Sequence, residues 1–163
     1  MSAQWDETAN LWYLVRQVAA RFDRSGDELF RSGVGVSLAQ FLVLSVVDAH
    51  PGQINQQAAG VRLGLTKGTV SRQIDKAVHA GLMTATEAPH SRREKVLALT
   101  PEGTKVVRAG DALLDQNLVE LMPDLSADAL RTTIETLSAL NVALGGGAPP
   151  DPGQPGRVIA SLD

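Results

Sequence analysis

The stretch from Leu63 to Leu82 constrains the fold most, because it reads as a short helix end, a tight glycine turn and a second helix. Gly64 suits a turn with positive φ, since glycine has no Cβ to clash. Thr66 suits an N-cap, because its hydroxyl can accept from an unpaired backbone N–H, and Gly81 is placed to end the helix in a left-handed cap. We therefore predict a helix-turn-helix whose second helix covers about four turns.

The two faces of this second helix differ in chemistry. One face is an apolar stripe at three- and four-residue spacing, formed by Val70, Ile74, Ala77 and Val78. The opposite face, with the turn before it, carries groups that could meet DNA phosphates and base edges. These candidate DNA-binding residues are Thr66, Lys67, Gly68, Thr69, Ser71, Arg72 and Lys76. The pattern favours a recognition helix over the alternative, a surface helix with ordinary solvated charges.

A polar segment between two predicted strands follows the helix. Residues 82–86 and 95–100 predict an antiparallel pair, and the loop between them carries Arg92 and Arg93 at its tip. Adjacent arginines on such a loop suit the minor groove of DNA, so we predict a wing; a solvated hairpin turn is the alternative. Asp75 would be repelled by DNA unless paired, and we expect it to contact a wing arginine or Lys76 and to orient the wing.

Amphipathic helices flank this region. Asp6 is the predicted cap of a long first helix with a weak point at Ser25-Gly26, and Ser37 caps a nearly all-apolar helix expected at the centre of the core. The apolar stripes of the first and last helices exceed what a small winged domain can cover, which implies a dimer interface.

The predicted fold is mainly α with a small β-hairpin. Residues 1–36 form an N-terminal dimerisation helix and connector, 37–100 a winged helix-turn-helix, 101–144 the C-terminal dimerisation helices, and 145–163 a Gly/Pro-rich flexible tail.

Charge is distributed unevenly along the chain. The formal net charge is −3, but residues 62–95 hold seven Lys and Arg against three Asp and Glu, a local balance of +4. A basic centre between acidic flanks is the pattern of a localised polyanion contact, which favours double-stranded DNA as a partner.

Composition excludes several classes of protein. The chain has no cysteine, hence no disulfide, thiolate metal site or cysteine redox switch. No apolar run approaches the roughly 20 residues that span a bilayer, and the acidic, polar start is unlike a signal peptide. We expect a cytoplasmic protein without a membrane partner. The sequence holds no nucleophile elbow, phosphate loop or paired catalytic carboxylates, so we expect no enzyme activity.

The motifs together resemble the MarR family of bacterial transcription regulators. They are Leu63-Gly64-Leu65-Thr66, Thr69-Val70-Ser71-Arg72, Asp75-Lys76, Gly81-Leu82 and Leu99-Thr100-Pro101-Glu102-Gly103. The resemblance covers about residues 6–144. It implies a homodimer in which each winged helix-turn-helix reads half of a palindromic operator, and a repressor released by a ligand. The wing departs from the family pattern, since Ser91 stands where an aspartate is expected.

The resemblance also implies an effector. Family members commonly respond to small aromatic or phenolic ligands held between the dimerisation helices and the winged domain. Trp12, Tyr13, Arg16 and Phe41 are the candidate lining residues, and plain core or partner packing is their alternative role. No cofactor is expected, and no metal, because the three histidines lack ligand spacing. The alternative function is a winged-helix protein-interaction module without DNA binding.

Overall fold

The computed structural model describes residues 3–88, 91–121 and 125–146, with side chains for 6–88, 95–117 and 125–146. The elements within these residues are α1 (Ala3–Val34), α2 (Leu38–Ala49), α3 (Gln56–Leu63), α4 (Lys67–His79), β1 (Met83–Ala88), β2 (Ser91–Leu99), α5 (Pro101–Leu121) and α6 (Ala127–Ala143). This mainly helical architecture with a small antiparallel hairpin confirms the predicted fold class. The predicted tail lies outside the described residues from position 147 onward.

α1 is one unbroken helix, which corrects two expectations. It begins at Ala3, so Asp6 is not its cap but lies in its first turn, where a carboxylate favours the helix dipole. It also continues through Ser25 and Gly26, where the sequence predicts a weak point. Gly26 serves packing instead, because a Cβ there would stand 2.7 Å from Cδ2 of Leu38. The glycine therefore lets α2 approach α1 closely.

α2 is the centre of the core, as its nearly all-apolar sequence predicts. Ser37 caps it, its hydroxyl accepting from the backbone N–H of Gln40 at 3.1 Å. Its large side chains that are fully or almost fully buried are Phe41, Val43, Leu44, Val46 and Val47. Because α4 and α5 both pack on α2, this helix sets their relative positions.

The helix-turn-helix forms as predicted. Asn55 caps α3, its Oδ1 accepting from the N–H of Ala58 at 2.9 Å, and Gly64 takes the left-handed conformation at a φ of 61°. Thr66 caps α4 and adopts extended backbone. One correction concerns the apolar stripe of α4, because Val78 is 40% exposed while the other three members are buried.

The hairpin is longer than predicted. β1 pairs with β2 from Met83 and Leu99 at the base, and the register shifts only after Glu87. The ladder thus extends into the segment that the sequence predicted as a polar loop. The backbone of Arg92 and Arg93 belongs to β2 rather than to a loop tip.

β2 is also paired on its other edge. An isolated antiparallel bridge joins Asn55 to Val96, and the N–H of Leu97 donates to the carbonyl of Ile54 at 3.1 Å. The segment before α3 therefore anchors the hairpin to the helix-turn-helix, and the wing does not depend on β1 alone for its position.

The end of α4 and the start of α5 are tied together at Thr100. Its hydroxyl donates to the carbonyl of Gly81 at 2.7 Å and accepts from the N–H of Gly103 at 3.1 Å, while its own N–H donates to the carbonyl of Leu82 at 3.1 Å. A Cβ at Gly103 would overlap the carbonyl oxygen of Leu82. α5 therefore starts directly against the segment that ends α4.

A second glycine lets α5 pack on the core. The rings of Phe30 and Phe41 lie 4.3 Å apart between α1 and α2, and a Cβ at Gly110 would overlap Phe41. Gly110 is buried, whereas the neighbouring Ala109 is exposed.

Two helices carry large apolar side chains that no described part of the chain covers. They include Leu11, Leu14, Val15, Val18 and Phe22 on α1, and Leu130, Ile134, Leu137 and Leu140 on α6. No residue of α6 is buried. A contiguous apolar surface of this kind is larger than the singly exposed apolar side chains that are common on proteins. It therefore indicates that a binding partner covers it.

Among the described residues no single helix is long and apolar enough to cross a membrane. The pair formed by α1 and α2, which are bent by 75° relative to each other, is long and apolar enough by length and composition alone.

We expect Gly103→Ala to lower the free energy of unfolding by roughly 1–3 kcal/mol, because the new Cβ must displace the Leu82 backbone. Urea unfolding followed by circular dichroism measures this. Gly68→Ala is the matched control, since nothing lies within 4 Å of a Cβ added to that helical glycine. Its stability should be unchanged or higher by up to about 1 kcal/mol through helix propensity. Wild-type stability of Gly103→Ala would contradict the close contact.

Candidate nucleic-acid interface

The first turn of α4 presents a prearranged polar surface. The Thr66 hydroxyl accepts from the N–H of Thr69 at 3.3 Å and lies 2.9 Å from the Thr69 hydroxyl. Lys67 and Gly68 are exposed beside it. A helix N-terminus carries unpaired N–H groups and a partial positive charge, both of which attract phosphate. This turn can therefore bind an anionic backbone without rearrangement.

Arg72 continues the same surface one turn later. Its Nε donates to the carbonyl of Gly68 at 3.3 Å, so the guanidinium lies back along the helix toward the first turn. Arg72, Lys76 and the partly exposed Ser71 complete the predicted set on α4. Val70, Ile74 and Ala77 hold the opposite face in the core. The structure thus brings the seven predicted residues of α4 and its cap onto one helix, with none of them buried.

Asp75 lies on the side of α4 that faces the hairpin. A cavity of about 1190 Å³ lies between α3, α4, the hairpin and the end of α6. Its lining includes Asp75 and Ser71 of α4, and Ala85 and Lys95 of the hairpin. The described residues show no ion pair or hydrogen bond between Asp75 and Lys76. The side chains of the two wing arginines lie outside the described residues, so a contact of Asp75 with them stays a prediction.

Asp27 of α1 occupies the junction of α1 and α2. Its Oδ2 accepts from Nε of Arg31 at 2.6 Å, and its Oδ1 accepts from the N–H of Leu38 at 3.0 Å. The bond with Leu38 links the last turns of α1 to the first residue of α2, whereas the bond with Arg31 lies within α1. The sequence shows an Asp and an Arg four residues apart, which predicts an ion pair within a helix. That Asp27 also caps α2 depends on the reversal of the chain between α1 and α2.

The charges around Asp27 lower the pKa of its carboxyl below the ordinary value. The hydrogen bond from Arg31 is the largest cause, partial burial opposes it, and the amide of Leu38 adds to it. The positive charges of Arg31 and of Lys76 lower it further.

We expect Asp27→Asn to destabilise the protein at neutral pH and to match wild type in acid. A depressed pKa means that the carboxylate stabilises the folded state above its unfolded pKa of about 3.9, and that this contribution is lost as pH falls through the lower folded pKa. Thermal unfolding of both proteins from pH 7 to pH 3 measures the difference. A gap in melting temperature that stays constant down to pH 3 would contradict this linkage.

The four predicted ligand-pocket residues do not form one group in this chain. Trp12 and Tyr13 make an edge-to-face contact with centroids 5.0 Å apart, and Cζ of Arg16 lies 5.1 Å from the Trp12 centroid. Both rings are more than half exposed. Phe41 is instead fully buried against Phe30, and 18 helical residues, about 27 Å, separate Phe30 from Trp12 along α1.

Gln73 of α4 carries a polar atom that is buried without a partner. Its Oε1 makes no hydrogen bond with the described residues. An apolar residue at this position would leave no polar atom unpaired. The described residues hold no group of three or more His, Asp or Glu side chains that could bind a metal ion.

Comparison with known proteins identifies the relatives of this chain. A model of the MarR family matches residues 34–94, from the end of α1 into the hairpin. An uncharacterized protein of Mycobacterium tuberculosis is 32% identical over 141 residues, which cover 85% of this chain and 95% of that protein. The chain belongs to the MarR family. The resemblance predicted from the motifs of the helix-turn-helix and of the α5 start is thereby confirmed.

Solved MarR-family structures share the fold beyond residues 34–94. A mutant MarR from E. coli in complex with operator DNA is 26% identical, with a TM-score of 0.73 over 85% of this chain and 99% of that chain. MepR of S. aureus in a DNA complex is 22% identical, with a TM-score of 0.73 over 81% and 96%. PcaV of Streptomyces coelicolor, bound to its natural ligand, is 24% identical, with a TM-score of 0.68 over 78% and 91%. The similarity therefore includes the long helices as well as the winged domain.

Proposed function

We propose that this MarR-family protein is a sequence-specific, DNA-binding transcriptional regulator. The observation that carries the proposal is the first turn of α4, which leaves Lys67, Gly68 and Arg72 exposed beside a capped helix N-terminus. The similar MarR structure in complex with operator DNA supports the assignment of this surface to DNA.

The proposed contacts divide into two groups. Thr66, Lys67, Gly68, Thr69, Ser71 and Arg72 would meet base edges and phosphates in the major groove, and Lys76 would meet phosphate. Arg92 and Arg93 would enter the neighbouring minor groove from the hairpin. Asp75 faces the hairpin side of α4, and its proposed role is to hold the wing in position.

The regulator is proposed to act as a homodimer. The exposed apolar stripes of α1 and α6 support this, since they resemble the core-facing stripes of buried helices but pack against no other described residues. A twofold dimer would place the two recognition helices in successive major grooves, about 34 Å apart, on a palindromic operator.

We expect Ile134→Glu to abolish the dimer, because Ile134 lies within the α6 stripe and is 51% exposed in the single chain. Burying a carboxylate in an apolar interface is costly. Analytical ultracentrifugation measures the mass. Thr133→Glu is the control, since the neighbouring Thr133 side chain bonds only to the Ala129 carbonyl of its own helix. A dimer that survives Ile134→Glu would exclude α6 from the interface.

A small aromatic or phenolic effector is proposed to release the regulator from DNA, which would make it a ligand-responsive repressor. PcaV, of similar fold, is bound to its natural ligand. In this chain the exposed group of Trp12, Tyr13 and Arg16 combines two aromatic faces with a cation, a surface suited to an aromatic acid. Phe41 would contribute from the core only if the bound state opens the contact with Phe30.

The alternative is a winged-helix protein-interaction module without DNA binding. The net charge of −3 and the serine at position 91 favour it. Salt dependence separates the two, because neutralising several phosphates makes affinity fall steeply with salt concentration. A dimer that binds no duplex even at low salt would leave only the alternative.

We expect Arg93→Ala to weaken operator binding by about 1–3 kcal/mol while leaving the dimer intact. The duplex is one that the protein itself selects from a random pool, and fluorescence anisotropy gives the affinity. Arg131→Ala is the control, since Arg131 is an exposed arginine on α6, outside the winged domain. Wild-type affinity of Arg93→Ala would remove the wing from the interface.

A further inference from the structure

Gly68 is the one glycine in the described part of the chain whose missing side chain serves no purpose within that part. Five of the others have positive φ, which a side chain would strain, and the remaining six would bring an added Cβ to 3.2 Å or less from another group. Gly68 has neither property, since it is exposed within α4 and nothing lies within 4 Å of an added Cβ. Alanine would favour the helix by up to about 1 kcal/mol. The glycine therefore points to a group outside the chain that comes close to its backbone.

The side chain of Arg72 reaches back to the backbone of this glycine. Its Nε donates to the carbonyl of Gly68 at 3.3 Å, which engages one N–H of the guanidinium and orients the group toward the first turn of α4. The two terminal Nη groups make no hydrogen bond or ion pair with a described residue. They carry four N–H donors in a planar fork. α4 thus presents an oriented pair of donor groups beside a position that has no side chain.

Helical spacing places Gly68 and Arg72 near the centre of the outward face of α4. Ala77 lies half a turn round the axis from Gly68, at roughly 100° per residue, and it is fully buried. Arg72 lies about 40° from Gly68, whereas Lys67 and Lys76 lie about 100° and 80° away on opposite sides. When a helix lies in the major groove, its central residues face the base edges and its flanking residues face the phosphates. The two lysines are therefore placed for phosphates, and Arg72 is placed for a base.

We propose that Arg72 reads a guanine in each half of the operator, donating from its two Nη groups to O6 and N7 of that base. The inference rests on the proposed DNA-binding function and names the base that this surface selects. Guanine presents two neighbouring acceptors in the major groove, and no other base presents such a pair there. Gly68 makes the contact possible, because a Cβ at the centre of the same face would hold the helix further from the base edges.

Arg72→Ala and Arg72→Lys test this on a duplex that the dimer selects from a random pool. Fluorescence anisotropy gives dissociation constants for that duplex and for variants in which each base pair of the half-sites is replaced in turn. For the wild type, replacing the G·C pair read by Arg72 should weaken binding about 5- to 100-fold, the range of one bidentate base contact. In Arg72→Ala that replacement should have no effect, while the other positions keep theirs. Arg72→Lys should also lose most of the preference, because an ammonium group keeps the charge but not the fork.

A modified base isolates the hydrogen bond itself. 7-Deazaguanine at the same position removes the N7 acceptor and leaves Watson–Crick pairing unchanged. The wild type should bind this duplex about two- to tenfold more weakly, the range of a single hydrogen bond, whereas Arg72→Ala should bind both duplexes equally. An equal loss in the two proteins would overturn the proposal.

Two further variants separate base reading from charge and from folding. Lys76→Gln is the matched control for charge, since it removes a cation from the side of the same helix. It should weaken all duplexes alike and leave the guanine preference intact. Gly68→Ala should keep the stability of the wild type but weaken the selected duplex more than a scrambled duplex of the same length. Wild-type affinity of Gly68→Ala for the selected duplex would contradict the close approach and overturn the proposal.

The outcomes distinguish this inference from the proposed function. If Arg72→Ala weakens every duplex by the same factor, Arg72 contacts a phosphate, so the inference fails while the proposed function stands. A selected duplex in which no guanine depends on Arg72 has the same meaning. A dimer that selects no duplex even at low salt would instead remove the proposed function, and the inference with it.

Discussion

The contact between Gly103 and the carbonyl of Leu82 connects the winged helix-turn-helix to α5. Thr100 makes hydrogen bonds on both sides of this contact. Its hydroxyl donates to the carbonyl of Gly81 after α4 and accepts from the N–H of Gly103 in α5. One side chain thus satisfies groups at two helix ends that would otherwise lack partners. Because backbone lies against backbone there, α5 cannot turn without turning the end of α4.

The direction of α4 therefore depends on α5 and on α2, against which both helices pack. α2 supplies the buried side chains that α4 and α5 share, and Gly110 brings α5 close to Phe41. A tightly packed core transmits displacement and absorbs little of it. In the proposed dimer, this path would carry a shift between the paired subunits to the spacing of their two recognition helices.

A second connection runs from α1 to α2, and its physics differs. Gly26 packs against the side chain of Leu38, and the carboxylate of Asp27 accepts from the N–H of Leu38 at 3.0 Å. The hydrogen bond depends on a charged group, so it weakens when the carboxylate is protonated. The contact between Gly103 and Leu82 involves no titratable group.

Much of the winged domain could be predicted because its signals are local. Thr66, Asn55 and Ser37 cap the helices that follow them, and Gly64 has the positive φ that the turn requires. Each of these residues acts within three or four positions of itself, so the sequence alone reveals it. The extent of the hairpin was not predicted, because ladder hydrogen bonds extended pairing into a segment whose polar composition suggested a loop.

The sequence by itself determined the order of the elements, the caps of α2 and α4, three of the four residues of the buried face of α4 and the resemblance to the MarR family. Only the tertiary structure decided which glycines allow close packing, that Gly26 does not break α1, and that Phe41 lies against Phe30 far from Trp12. It also brought Asp27 to the start of α2, where its carboxylate accepts from the N–H of Leu38. These features depend on residues distant in sequence, which become neighbours only when α1 and α2 meet and α4 packs on α2, and no local periodicity encodes that approach.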